Sequence, residues 1–306
     1  MASAVRISAA GILLLLLGCG GGAAARETAA WRRAAPIPVA RSEVAATALN
    51  GELVVIGGFL ADGRSSARVD AYSPKSNRWR RLPDLPVAVN HAMAAASNGR
   101  LYVVGGYGAP KRAFVLEGRR WRRLPYLPEP RAAAGAAIVG RALYVVGGVG
   151  VRGLARSTLA FDLERRRWSR LPGPFPREHL GATAWRGRVY AVGGRENGNN
   201  FDVFQAFDPE RKRWLTLPHV PEPRGGTAAT AIAGRIVSVG GEAPEGTTRA
   251  VYAYTIRTKR WGRLPDLPTP RHGLGVVALA GRVYVVAGGP RPGLSVSAVN
   301  EYLPLG

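Results

Sequence analysis

Apolar residues along this chain come in runs of four or five, each preceded by a stretch of small residues and ended by glycine. The run Ile236 to Val239 is typical. It follows the small-residue stretch Gly225 to Gly234 and ends at Gly240-Gly241; a polar loop, Tyr254, Trp261 and Leu264-Pro265-Asp266-Leu267-Pro268 come after it. Runs this short, bounded by Gly, Pro, Asn and Asp, predict β-strands rather than helices. The whole unit recurs with a period near 46 residues. Its glycine pairs are Gly57-Gly58, Gly105-Gly106, Gly147-Gly148, Gly193-Gly194 and Gly240-Gly241, with Ala287-Gly288 in the sixth copy, where Gly289 reads as an extra residue and predicts a bulge. An arginine stands at a fixed distance before each pair (Arg41, Arg131, Arg177, Arg224, Arg271), and Val89 takes its place in the second copy. Each copy closes with an aromatic residue and, seven residues on, a tryptophan: Tyr72/Trp79, Phe114/Trp121, Phe161/Trp168, Phe207/Trp214 and Tyr254/Trp261.

Each copy therefore predicts four strands. The small-residue run, such as Ala132 to Val139, is expected innermost, where bulky side chains would not fit; the apolar run is second, the aromatic marks the third and the tryptophan the fourth. The glycine pair, aromatic and tryptophan resemble the kelch repeat over about Trp31 to Tyr302. The resemblance implies an all-β fold, a kelch β-propeller. Tyr302 stands as an aromatic with no tryptophan after it, and Trp31 as a tryptophan with no aromatic before it. The N-terminal strand is therefore expected to complete the last of six blades, leaving no long free sheet edge, in one domain spanning 29–306. The tryptophans are expected to pack between blades.

Residues 1–19 read as a targeting segment. Arg6 precedes the apolar run Ile7 to Leu17, too short to span a bilayer. Leu16-Leu17-Gly18-Cys19 resembles the bacterial lipobox, which implies lipidation at Cys19, the sole cysteine. The alternative is an ordinary signal peptide cut after Ala23-Ala24-Ala25. Residues 20–28 are small and polar and read as a flexible tether. Either processing route implies export, with the lipidated form anchored at the outside of the cytoplasmic membrane or in the periplasm. One cysteine excludes an intrachain disulfide.

The formal net charge is +23, from 43 Lys+Arg against 20 Asp+Glu. Many of these cations lie close to the repeat tryptophans, so they are expected on the propeller's perimeter and not in a nucleic-acid groove. No specific nucleic acid is expected as a partner; anionic headgroups or cell-wall polymers are the anions an exported protein meets.

Candidate chemistry is sparse. There is no HExxH, GxSxG, GKS/GKT or paired CxxC motif, and Gly148 to Gly153 spells GxGxxG without the following helix that a dinucleotide fold needs. His91 and His179 share one repeat position but fall in blades two and four, His219 and His272 lie elsewhere, and no metal site is expected. Kelch proteins include galactose-oxidase-like copper enzymes, whose cofactor cross-links tyrosine to cysteine; with Cys19 in the export signal, that cofactor cannot form, and none is expected. Loops joining blades, and loops after the second strand, should surround one mouth of the central channel. They carry Arg41, Arg131, Arg177, His179, Arg195, Arg224, Glu242, Arg271 and His272, candidate contacts for a protein or glycan ligand, anionic if the arginines form a ring. The competing reading of each repeated arginine is a structural one, bonding nearby backbone carbonyls. Gly241-Glu242-Ala243, Gly246 and Arg249 also resemble one loop of periplasmic sialic-acid mutarotases. That resemblance implies Glu242 as acid/base and Arg249 as the carboxylate clamp of a sugar mutarotase. The leading expectation is a non-catalytic, envelope-anchored binding propeller.

Overall fold

The computed structural model describes residues 1–2 and 30–306. Cys19, the apolar run before it and the tether lie outside the described residues. Six four-stranded antiparallel sheets follow one another around a central channel. The first blade comprises Ala45–Leu49, Glu52–Ile56, Val69–Ser73 and Arg78–Arg81, from axis to rim. The sixth comprises Gly275–Leu279, Arg282–Val286, Asn300–Pro304 and, from the other end of the chain, Arg32–Arg33, which pairs Arg32 with Tyr302 and Arg33 with Glu301. Three two-stranded hairpins, the last being Glu242–Ala243 with Gly246–Thr247, project from blades three to five.

The strand types follow from their surroundings. Second strands such as Arg100–Val104 and Arg282–Val286 are wholly buried over their last four residues, because each blade is covered on both faces by its neighbours. The apolar clusters lie in these seams. Leu53, Val55 and Tyr72 of blade one meet Tyr284 and Val286 of blade six, and Ile37 from the N-terminal segment joins them. Inner strands converge on the axis and need small residues: a β-carbon at Gly135 would lie 2.3 Å from the Ala182 β-carbon, and one at Gly275 would lie 2.6 Å from that of Ala46.

Two sets of hydrogen bonds stitch the seams. Each repeat tryptophan donates its indole N–H to a carbonyl just past the outer strand of the preceding blade. Trp79 reaches Ala35 at 2.8 Å, Trp121 reaches Pro83 at 2.8 Å, and Trp31 closes the circle on Pro265 at 2.8 Å. The second residue of each glycine pair donates its amide to the arginine-slot carbonyl of the next blade, from Gly58 to Val89 at 2.9 Å round to Gly288 to Arg41 at 2.8 Å. The first glycine of the pair has no room for a side chain: a β-carbon at Gly105 would lie 2.3 Å from the Arg131 carbonyl oxygen, at a φ of 61°.

Two expectations change, and blade two departs from its neighbours. Its tryptophan faces Leu116 across the outer hairpin where Trp79 faces Tyr72 in blade one, because its turn is shorter. In blade six Tyr302 pairs with Tyr284, one residue short of the aromatic position, which Leu303 opposite Val283 takes. Gly289 is no bulge: it bridges His272 as Phe59 bridges Ser42 and Tyr107 bridges Asn90 in their blades.

Candidate functional site

The two ends of the channel differ. At one end the strands are joined by tight polar turns such as Asn50-Gly51 and Asn98-Gly99. At the other, the blade-joining segments and the loops after the glycine pairs rise around the axis. Exposed Tyr107, Val151 and Leu294 lie on these loops, and Phe175 lies on the segment joining blades three and four, edge-on to Phe201 at 5.2 Å.

The repeated arginines do not line this mouth. Arg41, Arg131, Arg177, Arg224 and Arg271 are at most 1% exposed, so the ring of ligand-binding arginines is corrected. Each guanidinium turns into its own blade. Arg41 donates to the Gly57 and Arg68 carbonyls and to Asp70 at 2.6 Å; Arg177 donates to the carbonyls of Gly193, Phe175 and Ala191 and to Gln205. Arg131 bonds Glu129 and Ser157, Arg271 bonds Val299, Val285 and Glu301, and Arg224 bonds the Glu222 and Ala250 carbonyls with its guanidinium over the Tyr252 ring. A planar cation with five donors suits a place where several carbonyls end together. Burial pulls the Arg177 pKa down to about 9 and those of Arg41, Arg224 and Arg271 to about 10, so all stay charged at neutral pH.

Two residues past each arginine slot the chain turns into the left-handed region at Glu43, His91, Ala133, His179, Gly226 and Gly273, with φ between 50° and 65°. These six form a collar across the axis, sewn by backbone bonds from His91 N to Glu43 O, Ala133 N to His91 O, His179 N to Ala133 O, Gly226 N to His179 O and Gly273 N to Gly226 O. Residues at one repeat position on a narrow ring meet even from non-adjacent blades. His91 and His179, from blades two and four, are in edge contact at 4.8 Å. Glu43 Oε2 lies 3.1 Å from His91 Nε2, and its Oε1 3.1 Å from His272 Nδ1. From His272 the network continues to Glu242 at 3.5 Å, from Glu242 to Arg195 at 2.6 Å, and from Arg195 to Glu178 at 3.7 Å.

The electrostatics follow from these neighbours. Burial, only partly opposed by Glu43, pulls His91 down to about 4 and keeps it neutral. Burial alone would also lower His272, but the Glu43 bond and the Glu242 charge outweigh it and raise its pKa. Its Nε2 faces the Arg291 and Gly293 carbonyls and its Nδ1 faces Glu43, so His272 lies between two carboxylates with acceptors at both ring nitrogens. Burial would raise Glu43, yet His91, His272 and His179 together hold its carboxyl well below the usual range.

Of the expected site residues, His179, Arg195, Glu242 and His272 thus come together at the mouth. Arg249 does not join them: it is exposed beyond the Gly246–Thr247 strand, and the cation on Glu242 is Arg195. Both Glu242 oxygens are engaged, Oε1 by Arg195 and Oε2 by the Gly293 amide at 3.0 Å, and the residue is 8% exposed. Nothing in this arrangement favours acid/base chemistry on a sugar. Sequence reasoning passed over Glu43 and His91 as site residues; the signal for them was their shared place two residues after the arginine slot.

Kelch propellers commonly bind proteins, and this fold supports such a scaffold role. No curated protein matches the chain significantly. A model of the kelch motif matches residues 40–86, and the KLHDC2/KLHL20/DRC7 kelch-repeats domain model matches residues 113–289, more than half of the chain. Six blades stitched through glycine pairs and tryptophans agree with both matches, and the chain belongs to the kelch-repeat family.

Proposed function

We propose that the protein is an exported, lipid-anchored binding scaffold that takes a protein partner on its loop face and does no chemistry of its own. The observation that carries the reading is the contrast between the two faces. Exposed Tyr107, Val151, Phe175 and Leu294 surround a mouth whose floor is the collar network, and apolar tips around polar groups are the anatomy of an interface. Arg195, more exposed than its partner Glu242, supplies a charged contact. Anchoring through Cys19 would hold the propeller near the membrane, and outer-strand arginines exposed at the rim, such as Arg78, Arg80, Arg120 and Arg122, suit transient contact with anionic headgroups.

A photo-crosslinking residue placed at Val151 in the full chain, expressed in its own envelope, should yield discrete protein adducts; the same residue at Asn50 on the turn face should not. The Val151 adducts should fall at least fivefold with Tyr107→Ser and Leu294→Ser together. Adducts from Asn50 alone would overturn the assignment of the face. Membrane fractionation unchanged by Cys19→Ser would overturn the anchor.

A further inference from the structure

The collar holds chemistry that protein binding does not use. Among the described residues, Glu43, His91 and His179 place one donor atom each within 4.8 Å of the others, at the channel axis and from three different blades. Their side chains are only 11%, 10% and 9% exposed. Each is also backed by a polar partner. His272 holds the second Glu43 oxygen, Asn90 Oδ1 lies 2.5 Å from His91 Nδ1, and Glu178 Oε1 lies 3.3 Å from His179 Nδ1, a nitrogen that makes no hydrogen bond. Polar groups standing behind ligating side chains in this way are the usual second layer of a metal site.

His91 faces polar groups at both ring nitrogens, Asn90 at Nδ1 and the Glu43 carboxylate at Nε2, so an ion beside Glu43 would meet an imidazole nitrogen already turned toward it. The remaining collar positions are Ala133, Gly226 and Gly273, and the three candidates line a cavity of about 130 Å³ walled by alanines.

We propose that Glu43, His91 and His179 bind a divalent transition-metal ion of the zinc class on the propeller axis, with a further coordination position open to the channel. Two imidazoles and a carboxylate suit zinc, iron, nickel or copper, whereas calcium and magnesium seek oxygen cages. Donors on one such ion stand roughly 3.0 to 3.4 Å apart, and Glu43 Oε2 and His91 Nε2 are already 3.1 Å apart. Three protein ligands leave room for water or for a donor group from a bound partner. The ion would tie together blades one, two and four.

The test uses the purified full chain, stripped with chelator, dialysed and titrated with zinc chloride by calorimetry and with cobalt(II) by visible absorption. The expected result is one ion per chain, cobalt bands that zinc abolishes, and a higher thermal midpoint with metal. Glu43→Gln, which keeps the side-chain shape, and His179→Ala should each weaken zinc binding at least tenfold. His219→Ala, at a rim histidine whose side chain is 52% exposed, should leave it unchanged. Folding of each variant is checked by circular dichroism, and the wild-type titration decides independently of the variants. Absence of saturable one-to-one uptake by the folded wild type, or full affinity in both ligand variants, would overturn the site. Neither outcome bears on the crosslinking result, which needs no metal.

Discussion

Two repeat positions lie two residues apart in the blade-joining loops, and the polar residues at them have opposite fates. The arginines at 41, 131, 177, 224 and 271 sink into the blades and satisfy carbonyls there, while Glu43, His91 and His179 turn inward and meet at the axis. The difference comes from backbone direction. The arginine precedes the inner strand beside the ends of the second and third strands, where carbonyls with a free lone pair, such as those of Gly57 and Arg68, collect. Two residues on, a left-handed turn throws the side chain across the channel. A repeated residue is thus evidence of a repeated structural duty, and the variation at the neighbouring position is where an individual site can be built.

The contrast can be broken at the arginine ring first. Arg271 and Glu301 form an ion pair with side chains 0% and 1% exposed. Arg271→Ala should cost about 3–5 kcal/mol in a urea titration, because it leaves the buried Glu301 carboxylate without its cation; a loss below about 1 kcal/mol would contradict the structural assignment. His91→Ala, in the presence of chelator, should cost no more than about 1.5 kcal/mol, since the collar's backbone bonds survive it. If both cost the same, the division between the rings fails. The smallest effect has the opposite sign. Ala133 sits at φ 51° with no polar duty, and Ala133→Gly should stabilise by up to about 1 kcal/mol by relieving left-handed strain. A measured loss would mean that its methyl group packs more usefully than its backbone is strained.

Much of the architecture was legible because it is written many times. Glycine pairs, tryptophans and small inner strands recur with one period, so strand order and closure by Arg32 and Arg33 followed from counting. Spacing alone does not fix pairing where a loop changes length: the short outer turn of blade two sets Leu116 and not Phe114 opposite Trp121. It also misled at the site, because a ring of arginines looks the same in sequence whether it faces a ligand or a carbonyl. Glu43 and His91 stood in view beside Arg41 and Val89, but their meeting depends on the collar's diameter, which no local pattern encodes.

The sequence by itself determined the repeat, and with it the strands, the seams and the closed ring, because each copy carries its own alternation of small, apolar and turn-forming residues. Tertiary structure alone decided which polar groups are buried inside blades and which converge on the axis. That depends on the direction of single side chains and on distances across the channel, between residues that hundreds of positions can separate, as Glu43 and His272 are.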